Sequence, residues 1–417
     1  MGYQLRQFVI KAWHGLHAFW LIIGISLAIL LLMETCVRVK NAAGSTPPVS
    51  RSPQASAPWF SEFTREYDAT RPQRWKSYLY FGRLPSFKGR YVNIDSAGHR
   101  VTPQPATPAT PVAKVFFFGG STMWGTEQRD DHTIAAEAAR RLQVLAGPGN
   151  RIQVTNFGES GYVTTQELLA LMLELRARNI PDVVVFYDGI NDVGTTVQYG
   201  GAGIPQNESK RVAEFALGRA IDRAGFERGL RKDMKAWRAL GGESLKQFAL
   251  FEWVQSLKPK PKLQYIAADS AARSTTRVYT ENMRMAESLA RTYGFEVIYV
   301  WQPNVHSTEK ILTPAEDRIV KGINSDDFQR RIRETQIAIS PILDSAMATV
   351  APARFVNAAL LFKGDTLSVF VDRIGHNTEI SVPRIVDAFW PTLEAAIVRR
   401  HTNTPANSAK IVRRRTP

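Results

Sequence analysis

The sequence predicts an α/β fold in which helices cover both faces of a parallel sheet. Five short apolar segments have the length and composition of buried strands, at 115–118, 152–156, 183–187, 297–301 and 354–357. Stretches with helical periodicity alternate with them, at about 133–145, 165–178, 276–293, 328–349 and 381–398. Strands that alternate with helices along a chain pair in parallel, because each helix returns the chain to the same edge of the sheet.

The chain is long enough to bury a large core, and its charge is unevenly distributed. It has 417 residues and a formal net charge of +15, most of which comes from residues 205–262 and from the tail after position 398. The remainder is nearly balanced, so we expect no nucleic-acid partner. The basic tail at 401–417 is predicted to be disordered. A single cysteine, Cys36, excludes a disulfide bond within the chain.

The N-terminal residues 1–40 are predicted to form a transmembrane anchor. Positions 12–33 contain no Asp, Glu, Lys or Arg, and as a helix they extend about 33 Å, enough to cross a hydrocarbon core of roughly 30 Å. The alternative is a cleaved signal peptide, whose apolar region would be shorter and would end at small residues, whereas Glu34 and Arg38 follow here. We expect an uncleaved anchor with the large domain outside.

Composition divides the rest of the chain into further segments. Residues 41–58 are rich in Ala, Ser and Pro and are predicted to be a stalk. Residues 59–111, where aromatic side chains alternate with basic and turn residues, are predicted to form an accessory segment of short strands and loops. The main domain is placed at 112–400. Its insertion at 197–273 is either a lid over the site or a solvated pair of surface helices.

A serine follows the first predicted strand of the main domain. The strand ends at Gly119 and Gly120, and Ser121 comes next. Its hydroxyl is therefore expected at the carboxyl edge of the sheet, where α/β proteins bind their ligands. The cap of a following helix explains a serine there equally well. A phosphate-binding loop is disfavoured, because no Gly-Lys-Ser/Thr sequence follows.

The next two strands are followed by groups that can donate hydrogen bonds to an oxyanion. Gly161 ends the sequence N-F-G-E-S-G, where its backbone N–H can point outward, and Asn191 lies in the sequence G-I-N-D. The side-chain amide of an asparagine is a suitable second donor. Each residue also has an ordinary explanation, as a turn glycine and as an asparagine that satisfies a loop backbone.

A candidate base and acid lie between the last strand and the closing helix. His376 follows Asp372 by four residues, and a carboxylate so near can fix the imidazole tautomer that a catalytic base needs. Asp365 is the alternative acid. A further alternative is that His376 works without an acid. A spacing of this kind also occurs in ordinary helix-entry pairs.

Taken together, the four groups occur in the order Ser, Gly, Asn, His after successive strands, and in this the chain resembles the SGNH (GDSL-type) hydrolase family over residues 112–400. Ser121 matches the family nucleophile, Gly161 the glycine of the second block, Asn191 the asparagine of the G-x-N-D block and His376 the base. The resemblance implies a flavodoxin-like three-layer α/β/α fold with a five-stranded parallel sheet. It also implies an oxyanion hole formed by Ser121, Gly161 and Asn191.

Two features depart from the family pattern. The first block reads G-G-S-T where many members have G-D-S, and Asp372 lies one residue further from His376 than in the family's D-x-x-H block. The second departure leaves it open whether Asp372 completes a catalytic triad or whether His376 acts in a dyad.

The resemblance implies a serine esterase or acyl hydrolase that works through an acyl-enzyme and uses no metal or other cofactor. With the anchor and the stalk, it predicts a single-pass protein of the bacterial inner membrane whose catalytic domain lies in the periplasm and deacetylates cell-envelope carbohydrate. The expected partners are an ester-bearing carbohydrate or lipid and the membrane. A lipase or thioesterase, an O-acetyltransferase, and a non-catalytic scaffold of polysaccharide export remain alternatives, and the oligomeric state is left open.

Overall fold

A computed structural model describes residues 2–44, 52–104, 112–216 and 265–402. Its contacts divide the chain into two compact units, one formed by Met1–Val49 with Asn207–Leu263 and the other by Ser50–Gln206 with Gln264–Pro417. Most of the predicted insertion, at 217–264, and nearly all of the predicted basic tail, at 403–417, lie outside the described residues.

The first unit contains one long N-terminal helix, α1 (Gly2–Gly44). Within it, Trp20–Lys40 has a mean hydropathy of 2.3 and only 6% of its most apolar window is buried. Among the described residues this is the one helix that is long and apolar enough to cross a membrane. A signal sequence near the N-terminus passes the same test of length and hydropathy, so the helix establishes the capacity to span a bilayer and not the orientation.

The second unit begins with a segment that packs beside the main domain. It contains helix α2 (Phe60–Ala69) and an antiparallel hairpin of β1 (Gln73–Lys76) and β2 (Tyr80–Arg83). The sequence predicted strands and loops here and not α2, although Phe60 and Phe63 have the three-residue spacing of one helical face and are both buried. Residues 52–58, which were assigned to the stalk, form turns in this unit and include a buried Ser52.

Five parallel strands form the central sheet, in the order β4-β3-β5-β6-β7. They are β3 (Ala113–Gly119), β4 (Ile152–Asn156), β5 (Val183–Asp188), β6 (Glu296–Trp301) and β7 (Phe355–Asn357). This order places β3, the first of the five along the chain, between β4 and β5. The chain therefore reverses its direction of winding at β3, and a doubly wound sheet binds its ligands at the carboxyl end of such a point.

Helices cover both faces of this sheet. In chain order they are α3 (Ser121–Trp124), α4 (Ile134–Ala146), α5 (Thr164–Arg176), α6 (Ile190–Tyr199), α7 (Ala268–Tyr293), α8 (Pro314–Asn324), α9 (Asp327–Met347) and α10 (Val382–Thr402). Side chains of α5, α6, α7 and α9 pack on one face with Phe116 and Phe118, whereas those of α4 and α10 pack on the other with Val115 and Phe117. The predicted flavodoxin-like three-layer α/β/α fold is confirmed.

Candidate active site

Ser121 is the first residue of the short helix α3, directly after β3 and Gly120. The glycine is needed because a neighbour approaches closely: a Cβ atom on Gly120 would lie 2.3 Å from Nδ2 of Asn191. The carbonyl of Ser121 accepts hydrogen bonds from the N–H groups of Gly125 at 3.1 Å and Thr126 at 3.0 Å. The hydroxyl is thus held at the carboxyl edge of the sheet on a tight turn, and the residue is 8% exposed.

Ser121, His376 and Asp372 form a continuous hydrogen-bonded chain. Oγ of Ser121 lies 2.7 Å from Nε2 of His376, and Nδ1 of His376 lies 2.6 Å from Oδ2 of Asp372. The serine and the histidine are separated by 255 positions in the sequence and are both buried. This is the arrangement in which a carboxylate orients an imidazole and the imidazole accepts the proton of a nucleophilic hydroxyl.

The extra residue between Asp372 and His376 is absorbed by a turn. Oδ1 of Asp372 accepts hydrogen bonds from the backbone N–H of Ile374 at 2.8 Å and of His376 at 3.3 Å, which leaves Oδ2 directed at the imidazole. The alternative acid, Asp365, has other partners: it forms an ion pair with Arg384 and accepts the backbone N–H of Leu367. The structure therefore places Asp372, and not Asp365, beside the histidine.

The two ionisable groups of this chain stabilise each other's charged forms. Burial alone would raise the pKa of the Asp372 carboxyl, but the neighbouring His376 and the hydrogen bonds from His376 and Ile374 lower it below its usual range. Burial likewise opposes a charge on His376, and the attraction and hydrogen bond of Asp372, with a smaller contribution from Glu127, raise its pKa above the usual value. An imidazole with a raised pKa is a stronger base for the serine proton.

Asn191 and Gly161 meet beside the serine turn. Asn191 lies in the first turn of α6, and its Nδ2 donates a hydrogen bond to the carbonyl of Tyr162 at 2.8 Å while lying against Gly120. Gly161 directly precedes Tyr162 and has a φ of +81°, a left-handed conformation that favours glycine. Among the described residues, neither the Gly161 N–H nor the Ser121 N–H donates a hydrogen bond to another protein group. Asn191 Nδ2 therefore lies beside the serine turn and is hydrogen-bonded to the residue that follows Gly161.

The segments after β4 and β5 are also joined by a second set of hydrogen bonds. Oδ1 of Asp192 accepts hydrogen bonds from the backbone N–H of Thr164 at 3.1 Å and from its hydroxyl at 2.7 Å. Nδ2 of Asn282 on α7 in turn donates to that hydroxyl at 3.0 Å. Thr164 begins α5, which follows Gly161, and Asp192 lies on α6, which also carries Asn191. This contact therefore joins the two helices.

The accessory segment supports the serine turn from the other side. The ring of Trp124, the last residue of α3, lies between the guanidinium groups of Arg83 and Arg100, each 4.4 Å from its centre. Arg100 is buried and also donates to Asp130 at 2.6 Å and to the carbonyl of Gln128 at 2.7 Å. The accessory segment therefore contacts the residues that follow Ser121.

A second connection runs from Gln54, which lies within the predicted stalk at 41–58, to the loops that follow Ser121 and carry His376. The sequence did not predict it. The side chain of Gln54 donates to the carbonyl of Glu127 at 2.8 Å and accepts the backbone N–H of Glu379 at 2.9 Å. Glu379 pairs with Arg129, and Gln128 donates to the carbonyl of Asn377 at 3.1 Å. These contacts join the loop after the serine to the loop that carries His376. No short motif in the sequence indicates contacts of this kind.

Among the described residues, no group of three or more His, Cys, Asp or Glu side chains is placed to hold a metal ion. The site brings together the hydroxyl of Ser121, an imidazole that is hydrogen-bonded to a carboxylate, and the side-chain amide of Asn191.

Comparison with known proteins gives structural neighbours and no sequence relatives. No family model matches the sequence, and no curated protein matches it. Among solved structures, the chain is similar to TesA, with 15% identity and a TM-score of 0.34 over 68% of this chain and 99% of that one. It is also similar to a member of the lipolytic G-D-S-L family from Veillonella parvula, with 12% identity and a TM-score of 0.33 over 67% and 96% of the two chains.

A catalytic mutant of Axe2, an acetylxylan esterase from Geobacillus stearothermophilus, is a third structure of this kind. It shows 15% identity and a TM-score of 0.32 over 70% of this chain and 96% of that one. Proteins of the GDSL type are thus among the solved structures to which this chain is similar.

Proposed function

We propose that this chain is a serine-dependent carboxylic ester hydrolase that acts through an acyl-enzyme. The observation that supports it most directly is the hydrogen-bonded chain from Ser121 through His376 to Asp372, with distances of 2.7 Å and 2.6 Å. The non-catalytic scaffold alternative loses its main support, because the turn at Ile374 brings Asp372 to the histidine despite its displaced position in the sequence.

In the proposed reaction, Oγ of Ser121 attacks the ester carbonyl carbon while its proton passes to Nε2 of His376. The N–H groups of Ser121 and Gly161 and the amide of Asn191 hold the oxyanion of the tetrahedral intermediate. His376 then returns the proton to the departing alkoxide, which leaves as an alcohol and yields the acyl-enzyme. Water enters, His376 takes its proton, and the acyl group leaves as a carboxylic acid with Ser121 restored.

We further propose that the substrate is acetylated carbohydrate of the cell envelope and that the N-terminal helix anchors the protein in the inner membrane with the catalytic unit in the periplasm. The support is the apolar stretch at Trp20–Lys40, which would hold an esterase next to the envelope. Release of acetate from an O-acetylated glycan in preference to cleavage of long-chain esters is the expected result. The reverse preference would identify a lipase.

The test of the function is labelling of the full-length chain in detergent with a fluorophosphonate, which reacts with an activated serine. We expect modification at Ser121, and we expect Ser121→Ala and His376→Ala to remove labelling and to lower ester turnover by a factor of about 10⁴ or more. Ser325→Ala, which changes an exposed serine at the end of α8, is the control and keeps wild-type labelling. A folded wild-type chain that neither labels nor turns over an ester contradicts the proposal.

A further inference from the structure

Two carboxyl groups lie buried next to each other on β5, which precedes Asn191, and on α5, which follows Gly161. Asp188 is the last residue of β5 and Glu167 is on α5, one turn after Thr164. They are 2% and 1% exposed, and the two side chains lie within hydrogen-bonding distance of each other. The proposed reaction uses neither of them.

In the part of the chain that the structure describes, no cation balances these two groups. None of the ion pairs in the described part of the chain includes Glu167, Asp188 or the neighbouring Asp192. All four carboxyl oxygens of Glu167 and Asp188 lack a conventional donor, and no metal-binding group is present among the described residues. Two adjacent carboxylates without a counter-ion in an apolar interior would be prohibitively unstable, because each loses its hydration and repels the other.

Further polar groups lie near this pair. Asp192 on α6 adds a like charge, and the buried hydroxyl of Tyr279 on α7 lies near both carboxyl groups and lacks a partner among the described residues. With a third carboxyl group nearby and no cation among the described residues, the surroundings favour a bound proton. Burial, followed by the mutual charge of the two groups and that of Asp192, raises the pKa of Glu167, and burial likewise raises that of Asp188.

We propose that Glu167 and Asp188 share one proton and that this carboxylic acid–carboxylate hydrogen bond positions the oxyanion side of the site. Among the described residues, it adds a third polar contact between the segment that follows β4 and the segment from the end of β5 into α6. The other two are the Asn191–Tyr162 hydrogen bond at 2.8 Å and the Asp192–Thr164 hydrogen bonds at 3.1 Å and 2.7 Å. Asp188 lies three residues before Asn191 in the chain, and Glu167 lies on the helix that follows Gly161, so the pair sets the separation of these two oxyanion donors.

If the pair shares a proton, the chain takes up a proton when it folds. This determines how the stability of the folded state changes with pH. Above about pH 5 both groups are ionised in the unfolded chain, whereas the folded pair keeps a proton. A group whose pKa is higher in the folded state favours folding at low pH, and this contribution is lost as the pH rises through the folded pKa. Glu167→Gln supplies a permanent N–H donor to an ionised Asp188, so the variant needs no proton at this position.

The first test compares thermal unfolding of the full-length chain in detergent between pH 5 and pH 9. We expect the melting temperature of Glu167→Gln, relative to wild type, to rise steadily with pH. Glu281→Gln, which removes an exposed carboxyl of α7, keeps a constant difference from wild type. Parallel curves for wild type and Glu167→Gln across the whole range would overturn the shared proton.

The second test is infrared spectroscopy of the C=O stretch of a protonated carboxyl group at pH 7. We expect this band in wild type and its loss in both Glu167→Gln and Asp188→Asn. If neither variant folds, a titration of wild type alone decides: a carboxylic acid band that persists above pH 7 supports the proposal, and its absence overturns it.

The positioning role rests on the proposed function and has its own readout. We expect the kcat of wild type to fall at alkaline pH, when the pair loses its proton, with little change in KM, and we expect Glu167→Gln to abolish this alkaline loss. An alkaline limb that is identical in the two proteins contradicts the positioning role. A wild-type protein without ester turnover at any pH contradicts the proposed function instead, and the melting and infrared results still decide the shared proton.

Discussion

The two sides of the candidate site use carboxyl groups in opposite ways. On the proton-transfer side, Asp372 has a lowered pKa, because His376 and backbone N–H groups stabilise its charge more than burial opposes it. On the oxyanion side, Glu167 and Asp188 have raised pKa values, because burial and neighbouring carboxyl groups oppose their charge and no cation among the described residues offsets this. Burial also raises the pKa of Asp192, to about 6, although Thr164 donates to it.

The difference shows that burial alone does not decide the charge of a side chain. What decides it is whether a donor or an opposite charge accompanies the group into the interior. In the proposed reaction, the proton-transfer side needs a permanent negative charge to stabilise an imidazolium ion as it forms. The oxyanion side would develop a negative charge, which fixed carboxylates there would oppose, and the shared proton removes one of the two charges of the pair.

The largest loss of activity is expected when the carboxyl group of Asp372, on the proton-transfer side, is replaced by an amide. In Asp372→Asn we expect kcat to fall by about 10⁴-fold, because the amide stabilises the wrong imidazole tautomer. The loss of the negative charge also lowers the pKa of His376, so the acid limb of the kcat/KM profile moves to lower pH. Steady-state kinetics between pH 4 and pH 9 measures both effects.

The matched control for this prediction is Asp365→Asn. Asp365 pairs with Arg384 and does not touch His376, so its amide variant keeps a rate near that of wild type. A loss at Asp365 as large as that at Asp372, or a wild-type rate in Asp372→Asn, contradicts the assignment of the orienting acid. In contrast to Asp372→Asn, Glu167→Gln is expected to keep its activity at neutral pH.

A smaller effect is expected on the oxyanion side itself. Asn191→Ala removes one donor that acts only in the transition state, so we expect kcat to fall by about 10²–10³-fold while KM changes little. The substitution also removes a hydrogen bond to Tyr162, and a melting curve separates this structural cost from the catalytic one. Asn324→Ala, at an exposed position on α8, serves as the control. An unchanged kcat in Asn191→Ala would remove Asn191 from the oxyanion hole.

The smallest effect is expected at Glu127, which lies near the proton-transfer side and contributes to the raised pKa of His376. Glu127→Gln removes that negative charge, so the pKa of His376 falls and the acid limb of kcat/KM moves to lower pH, by less than in Asp372→Asn. The control, Glu309→Gln, changes an exposed carboxyl that pairs with Lys363. A shift to higher pH in Glu127→Gln, or an equal shift in the control, rules out this contribution.

The sequence predicted the sheet well, because strands buried on both faces are almost purely apolar. Residues 183–187, for example, offer few alternatives to a central strand, and β5 occupies Val183–Asp188. Helix α2 was missed because the aromatic residues after Trp59 alternate with turn residues, and that alternation concealed the spacing of Phe60 and Phe63. Helix α8 was also missed, although Thr313 and Glu316 form a capping box ahead of it.

The sequence by itself determined the parallel α/β sheet and the order of Ser121, Gly161, Asn191 and His376, because apolar periodicity and local turn chemistry depend on neighbouring residues. Only the tertiary structure decided that Asp372 and not Asp365 orients His376, that Gln54 and Arg100 support the serine turn, and that Glu167 meets Asp188. Most of these contacts join residues that are distant in the chain. The choice between Asp372 and Asp365 depends on the conformation of a turn. Their energies depend on burial and on partners, which no local pattern specifies.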